Sequence, residues 1–167
     1  MRFITTWRRP EDEQFVYFSQ SVLEIFERHI QNDDGTEAGG ILLGYVRGKH
    51  LEVLEASEPT RQDRRLRYFF ERMIHGHKSL ADRRWQETNG LVRYIGEWHT
   101  HPQEVPSPSY IDLDEWKILA KGRADKRPLL AVVVGRQNLH VELMYADGIR
   151  HDFFSEDASR FDRIIEP

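Results

Sequence analysis

Among its 167 residues the chain has no cysteine. Disulfide staples are thereby excluded, as is any metal site built on thiolate, so a metal ion held here has to use imidazole and carboxylate. Long apolar runs are missing as well. None approaches the ~18 residues that a membrane-spanning helix needs, and the start, Met1-Arg2-Phe3-Ile4-Thr5-Thr6-Trp7-Arg8-Arg9, lacks a signal-peptide core. A cytoplasmic protein without a membrane partner is expected; the missing cysteine suits a reducing compartment, although a periplasmic protein would share it. Nor is there an excess of positive charge: a formal charge of -4 argues against a general nucleic-acid binder. Internal repeats and linkers are absent too, and 167 residues suffice for one domain with a substantial core, so a single domain over 1–167 is expected. With 39% hydrophobic and 31% charged residues, the composition is that of a globular chain and not a disordered one.

Apolar spacing places the elements. Phe15, Val16 and Phe18 suggest a short strand, and Val22, Leu23, Phe26 and Ile30 then recur at three and four, lining one face of a helix. Ser21 and Glu24 form a capping-box pattern at its start, and Asp33-Asp34-Gly35 supplies turn chemistry for its end. Glu37 stands at the entrance of the apolar strand Gly39 to Tyr45, which glycines open to close backbone approach. Arg47-Gly48-Lys49 predicts a hairpin into Leu51 to Ala56. Tyr68-Phe69-Phe70 reads as a strand, Lys78 to Glu87 as a short helix ending near Asn89-Gly90, and Leu91 to Trp98 as a buried strand. Ser109 can cap a helix from about Tyr110 to Lys121, with Asp112 as the carboxylate arm of a capping box and Gly122 as its stop. Leu129 to Val134, Leu139 to Tyr145 and Ile149 to Phe154 follow as strands, the last two joined by an Asp147-Gly148 turn, and a helix from about Glu156 to Ile165 closes the chain. A mixed sheet sandwiched by helices accounts for this order better than a pure barrel or a doubly wound fold.

The informative stretch is His99-Thr100-His101-Pro102, followed after six residues by Ser109-Tyr110-Ile111-Asp112. Two histidines at i and i+2 on a strand exit emerge from the same edge of the sheet. The first turn of the next helix can bring Asp112 back as a third ligand, and its dipole favours an anion there. Three nitrogen and oxygen ligands leave one tetrahedral position for water, which suits a catalytic zinc ion and not a closed structural one. Such an ion lowers the pKa of its water to about 7, and a carboxylate that is not a ligand must then take the proton. Glu37 is the candidate for that base. The Ser109 hydroxyl is a candidate donor to the oxyanion of a tetrahedral intermediate.

These residues resemble the JAMM (also called MPN+ or JAB) metallopeptidases, whose signature is an upstream Glu and then His-x-His-Pro-x6-Ser-x-x-Asp. Glu37, within Glu-Ala-Gly-Gly-Ile-Leu-Leu-Gly, and His99, His101, Pro102, Ser109 and Asp112 fill every named position. The resemblance, which runs from about Phe15 to Phe154, implies an α/β single-domain JAB/MPN fold, a mixed curved β-sheet flanked by helices in a layering like that of cytidine deaminase. It implies one zinc ion with a bound catalytic water, held by His99, His101 and Asp112, with Glu37 as general base and Ser109 assisting the oxyanion. It also implies cleavage after the C-terminus of ubiquitin, a ubiquitin-like modifier or a protein conjugated in the same way. Gly96-Glu97-Trp98-His99-Thr100-His101-Pro102 with Trp116 looks most similar to the JAB deconjugases of bacterial CBASS anti-phage systems, where the conjugated protein is a cGAS-like nucleotidyltransferase. Two other readings compete: a peptidase that trims the C-terminus of a sulfur-carrier-like protein, and a non-catalytic MPN scaffold, a class marked by lost ligands.

Other features have plainer expectations. His75-Gly76-His77 repeats the spacing without a following aspartate at the right distance, and reads as a loop or helix entry. Glu97 is balanced between orienting a ligand histidine and a structural role. Trp98 and Trp116 read as core. Tyr68 to Phe70 are candidates for gripping an extended tail by strand addition. Eight cations lie between Arg61 and Arg84 against Asp63, Glu71 and Asp82, either a solvated face with ion pairs or a docking face for an acidic partner.

Overall fold

Val22, Leu23 and Phe26, the apolar stripe of the first helix, are fully buried in α1 (Gln20–Arg28). The computed structural model describes residues 3–32, 34–74 and 76–156. The cap of α1 is Ser19, whose side chain accepts from the Val22 backbone, and not Ser21; the two serine hydroxyls lie 3.0 Å apart. The capping-box spacing points to Ser21 because Glu24 lies three residues on, but the helix starts two residues earlier and Ser19 caps it without an acidic arm. The helix also stops earlier than expected, at Arg28, so the turn at Asn32 to Gly35 belongs to the following loop.

Before α1 come β1 (Thr6–Arg9) and β2 (Gln14–Phe18), and after it the hairpin of β3 (Gly39–Arg47) and β4 (His50–Ala56). A small separate sheet of β5 (Arg64–Leu66) and β6 (Phe69–Glu71) precedes α2 (His77–Glu87). Then follow β7 (Arg93–Thr100), α3 (Tyr110–Lys121), β8 (Leu129–Val134), β9 (Leu139–Met144), β10 (Arg150–Asp152) and β11 (Phe154–Ser155). The capping box of Ser109 and Asp112 and the bounds of α3 and β8 are as the sequence predicts. β1 lies outside the elements predicted from apolar spacing. The expected helix near residues 156–165 lies, Glu156 excepted, outside the described residues.

Nine strands make one sheet in the order β10-β9-β8-β7-β3-β4-β2-β1-β11. The β2/β4 and β7/β8 pairs are parallel and the rest antiparallel. β10 and β11, separated only by Phe153, stand at opposite ends of that order, so the curved sheet brings its two edges together at one residue. This splits the single strand expected over Ile149 to Phe154. Phe153 is buried at the seam, its N–H donating to the Val141 carbonyl at 3.0 Å.

β8 shows how one strand serves two layers. Leu130, Val132 and Val134 join the core that includes Phe18, Phe26 and Trp98, whereas Leu129, Ala131 and Val133 pack under α3 with Trp116 and Met144. All six are buried, the pattern of a strand covered on both faces. Each of its leucine and valine side chains contributes roughly 1.5–3 kcal/mol through removal from water, and Ala131 less. α2 covers the neighbouring area over Ile41, Leu43 and Val92 with Leu80 and Ala81. The result is a mixed, curved sheet with helices on both faces, as expected. No helix among the described residues is long and apolar enough to cross a membrane.

Four of the eight cations from Arg61 to Arg84 have carboxylate partners. Arg72 pairs with Glu97, Arg84 with Glu55 and Glu87, Lys78 with Asp82, and Arg64 with Glu71. His77 is a buried structural histidine: Nδ1 meets Ser57 Oγ at 2.5 Å and Nε2 meets Asp63 Oδ2 at 2.8 Å. Asp63 also accepts from the Thr60 and Met73 backbones, so this network ties together both ends of the segment that carries β5 and β6.

Candidate metal centre and acid

Register brings the acid to the imidazoles. Gly39 on β3 faces His99 on β7, and the Thr100 N–H continues the ladder to the Ala38 carbonyl at 2.8 Å, which leaves Glu37 beside His101. On the other side β8 runs parallel, with His99 opposite Val133 and the His101 N–H donating to Val134 at 3.0 Å. His99 is thus inside the strand and His101 one residue beyond it, a strand exit two residues later than the expected end at Trp98.

The donor atoms converge. His99 Nε2 and His101 Nε2 are 3.0 Å apart, and each lies 3.2 Å from an Asp112 carboxylate oxygen. Ligands about 2.0 Å from a tetrahedral ion stand about 3.3 Å from one another, so the three side chains fit a metal ion. Glu37, 4% exposed, sits 3.8 Å from His101 Nε2 and just outside that triangle. Glu37, His99 and His101 all offer a donor atom within 4.8 Å of one another. A second group among the described residues, His140, Glu142 and Asp152, is less suited, because Arg150 and His140 already hold the Glu142 carboxylate.

Burial pushes the Glu37 carboxyl up to about 8, with His101 pulling it back and Asp112 pushing it further up. Asp112 goes the other way: burial opposes ionisation, but contacts from His101 and His99 and the Ser109 backbone N–H hold it well below the usual carboxylate range. Two carboxylates that both face His101 Nε2 are therefore set to different protonation states, the separation expected of a base and a ligand. A cation beside Glu37 would draw its pKa down towards neutrality.

Ser109 lies at the rim. Its Oγ accepts from the Asp112 N–H at 3.1 Å, which leaves the hydroxyl hydrogen free to donate. Glu37, Arg67, Tyr68, His101, Gln103 and Ser109 line a cavity of about 370 Å³. Beyond His99 and Asp112 lies a smaller hollow of about 40 Å³, bordered by Phe70, Arg72, Glu97, Glu115 and Trp116. A separate groove of about 750 Å³ between α2 and α3 is lined by none of Glu37, His99, His101, Ser109 and Asp112.

All five residues singled out in the sequence are brought together. Glu97, the undecided one, takes the Arg72 guanidinium at 2.8 Å and the Tyr94 hydroxyl at 2.7 Å, and no contact with either imidazole. Trp98 and Trp116 are core, 1% and 2% exposed. The sequence reading missed the hairpin's grip on the acid: the Glu37 N–H donates to the Leu66 carbonyl at 2.7 Å, and Arg65 Nε donates to the Glu37 carbonyl at 2.9 Å. No motif in the sequence marks that contact.

A curved mixed sheet that presents paired imidazoles, a capping carboxylate and a protonatable acid defines a hydrolytic enzyme of the JAMM type. The chain belongs to the prokaryotic homologs of the JAB domain, which it matches over residues 19–146. It is 46% identical over 149 residues, 89% of this chain and 94% of the other, to the CD-NTase/cGAS isopeptidase of Pseudomonas aeruginosa. It is 35% identical over 130 residues, 78% and 81% of the two chains, to the protein of the same name from Escherichia coli. The solution structure of a protein from Desulfitobacterium hafniense shares the fold at a TM-score of 0.54 and 20% identity, covering 85% of this chain and 90% of that one.

Proposed function

We propose that the chain is a zinc-dependent isopeptidase that releases a cGAS-like nucleotidyltransferase from the proteins to which its C-terminus has been joined, as the deconjugating arm of a bacterial CBASS system. It works as a single-domain enzyme in the cytoplasm, and a ubiquitin-like modifier is the related substrate class. One observation carries the reading: three donor side chains stand 3.0–3.2 Å apart beside a buried, unliganded acid. The names of the Pseudomonas aeruginosa and Escherichia coli relatives support the choice of substrate.

In this proposal His99, His101 and Asp112 hold the ion. When bound, zinc supplies Lewis acidity, acidifying water and polarising the scissile carbonyl. Glu37 accepts the proton of the attacking water and passes it to the departing amine, so the amine side of the substrate belongs in the Glu37 cavity. The acyl side then runs past Phe70, where β6 pairs with β5 alone and leaves an edge for an extended tail. Ser109 donates its hydroxyl hydrogen to the oxyanion. Burial of the acid keeps bulk water from competing for its proton.

The test is incubation of the purified protein with a nucleotidyltransferase conjugate, with and without a chelator. Release of an intact nucleotidyltransferase C-terminus and a free amine is expected, stopped by chelation and restored by zinc. Glu37→Ala should fold and keep its zinc while losing cleavage. A zinc-loaded protein that leaves the conjugate whole would refute the substrate, and release of a short C-terminal peptide would point to a trimming peptidase.

A further inference from the structure

An imidazole can ligate only through the ring nitrogen that lacks a hydrogen, so something must fix which one that is. At His101 the chain answers through Gln103, a residue inside the six-residue spacer. The Ser107 backbone N–H lies 3.1 Å from Gln103 Oε1. A backbone N–H only donates, which identifies the amide atom it meets as the oxygen and fixes the orientation of the whole amide. That same oxygen is 3.1 Å from His101 Nδ1. An oxygen that accepts there requires hydrogen on Nδ1, and the lone pair of the neutral ring is then on Nε2. Nε2 is the atom that faces His99 at 3.0 Å and Asp112 at 3.2 Å.

The loop that carries Gln103 is itself held. The Gln103 carbonyl accepts from Arg136 N–H at 2.8 Å, and the Glu104 carbonyl accepts from Gln137 and Asn138 at 3.1 and 3.2 Å. Gly135 lies so close that a Cβ there would come within 2.6 Å of Pro106. The turn between β8 and β9 thus braces residues 103–108, and through Gln103 the brace reaches the ring of His101.

We propose that Gln103 is a positioning residue that locks His101 in its Nδ1–H form and thereby sets the affinity of the centre for a divalent ion. The inference rests on the reading of His99, His101 and Asp112 as the ion's holders. Partners of this kind at ligand histidines change metal affinity by about 10–100-fold.

Two variants separate the acceptor from the bulk of the side chain. Gln103→Leu removes the acceptor, and Gln103→Glu keeps one. Zinc affinity, measured by competition with a chromophoric chelator, should fall at least about tenfold in Gln103→Leu and stay within about threefold of wild type in Gln103→Glu. Nitrogen-15 spectra of the histidine rings in chelator-treated protein, at a pH where the rings are neutral, should show His101 moving away from the Nδ1–H form in Gln103→Leu while His99 is unchanged. A wild-type spectrum dominated by Nε2–H at His101, an unchanged affinity in Gln103→Leu, or equal losses in both variants would overturn the proposal. Failure of the wild type to bind zinc would instead count against the metal reading, since the ring spectrum needs no metal.

Discussion

Ser109 and Asp112 cap each other: the Ser109 N–H donates to Asp112 Oδ2 at 2.8 Å, and the Asp112 N–H donates to Ser109 Oγ at 3.1 Å. The helix start and the aim of the carboxylate are therefore one arrangement. Loss of the serine should have two separable effects. Ser109→Ala is expected to lower stability by about 1 kcal/mol through the lost cap and kcat by about 10²–10³ through the lost donor. Ser109→Asp restores a capping oxygen without a hydrogen to donate. It should melt near wild type yet stay inactive, and substantial kcat in that variant would remove Ser109 from the chemistry.

Glu37 gives a pH dependence of stability with a definite sign. Its carboxyl, raised by burial from 4.5 to about 8, binds a proton more tightly in the folded protein than in the unfolded chain. That contribution is fully present below the unfolded value and is lost as pH rises through the folded one. In chelator-treated protein, Glu37→Gln should therefore gain stability over wild type as pH rises from about 5 to about 9. Urea unfolding at both ends of that range measures the gap; a gap of constant size would contradict the burial argument.

The imidazole of His77 joins Ser57 to Asp63 beneath the β5–β6 segment. His77→Ala leaves a buried carboxylate and a hydroxyl short of partners, and should cost roughly 3 kcal/mol. Asp63 is opposed by burial but held low by Thr60, His77 and Met73, so its contribution exists above its ordinary pKa and is lost as pH falls through the folded value. The variant should accordingly unfold at a higher pH on acidification. Limited proteolysis should cut first between residues 58 and 76, and cleavage elsewhere at first would show that the network does not hold this segment.

Two glycines make a contrast. A Cβ on Gly40 would sit 2.2 Å from the Ser57 carbonyl oxygen, which is backbone and cannot swing away. Gly48 has open space around it but a φ of +61° in the β3–β4 turn. Gly40→Ala should cost about 2–3 kcal/mol, and Gly48→Ala about 1 kcal/mol from strain alone. Denaturant midpoints of the two variants give the order, and a reversed order would mean that β3 can shift away from Ser57.

What the sequence disclosed follows the reach of each constraint. The proposed metal centre needs its donors at fixed offsets, so His99, His101 and Asp112, with Ser109 between them, are legible within fourteen residues, and Glu37 by its glycine-rich strand. α3 is legible because Ser109 and Asp112, three residues apart, mark a capping box, and β8 because a strand buried on both faces is apolar throughout. The cap of α1 is not, since the capping-box spacing favours Ser21 with Glu24, while the actual cap, Ser19, has Val22 three residues on. Nor was the split at Phe153, because the strands that take its two neighbours lie at opposite edges of the sheet: β9 pairs with β10, and β1, near the other end of the chain, pairs with β11. Arg72 and Glu97, and Gln103 with His101, depend on side chains meeting in space, and no spacing rule marks them.

His99 has strand neighbours on both sides, Gly39 and Val133, fixed by backbone pairing that makes no use of a metal. Small zinc domains collapse when stripped because the ion is their core; a cradle set by backbone pairing should instead outlast the ion proposed for it. Scarcity of the metal would thus silence the enzyme while sparing its shape, and resupply would wake it without a new round of folding.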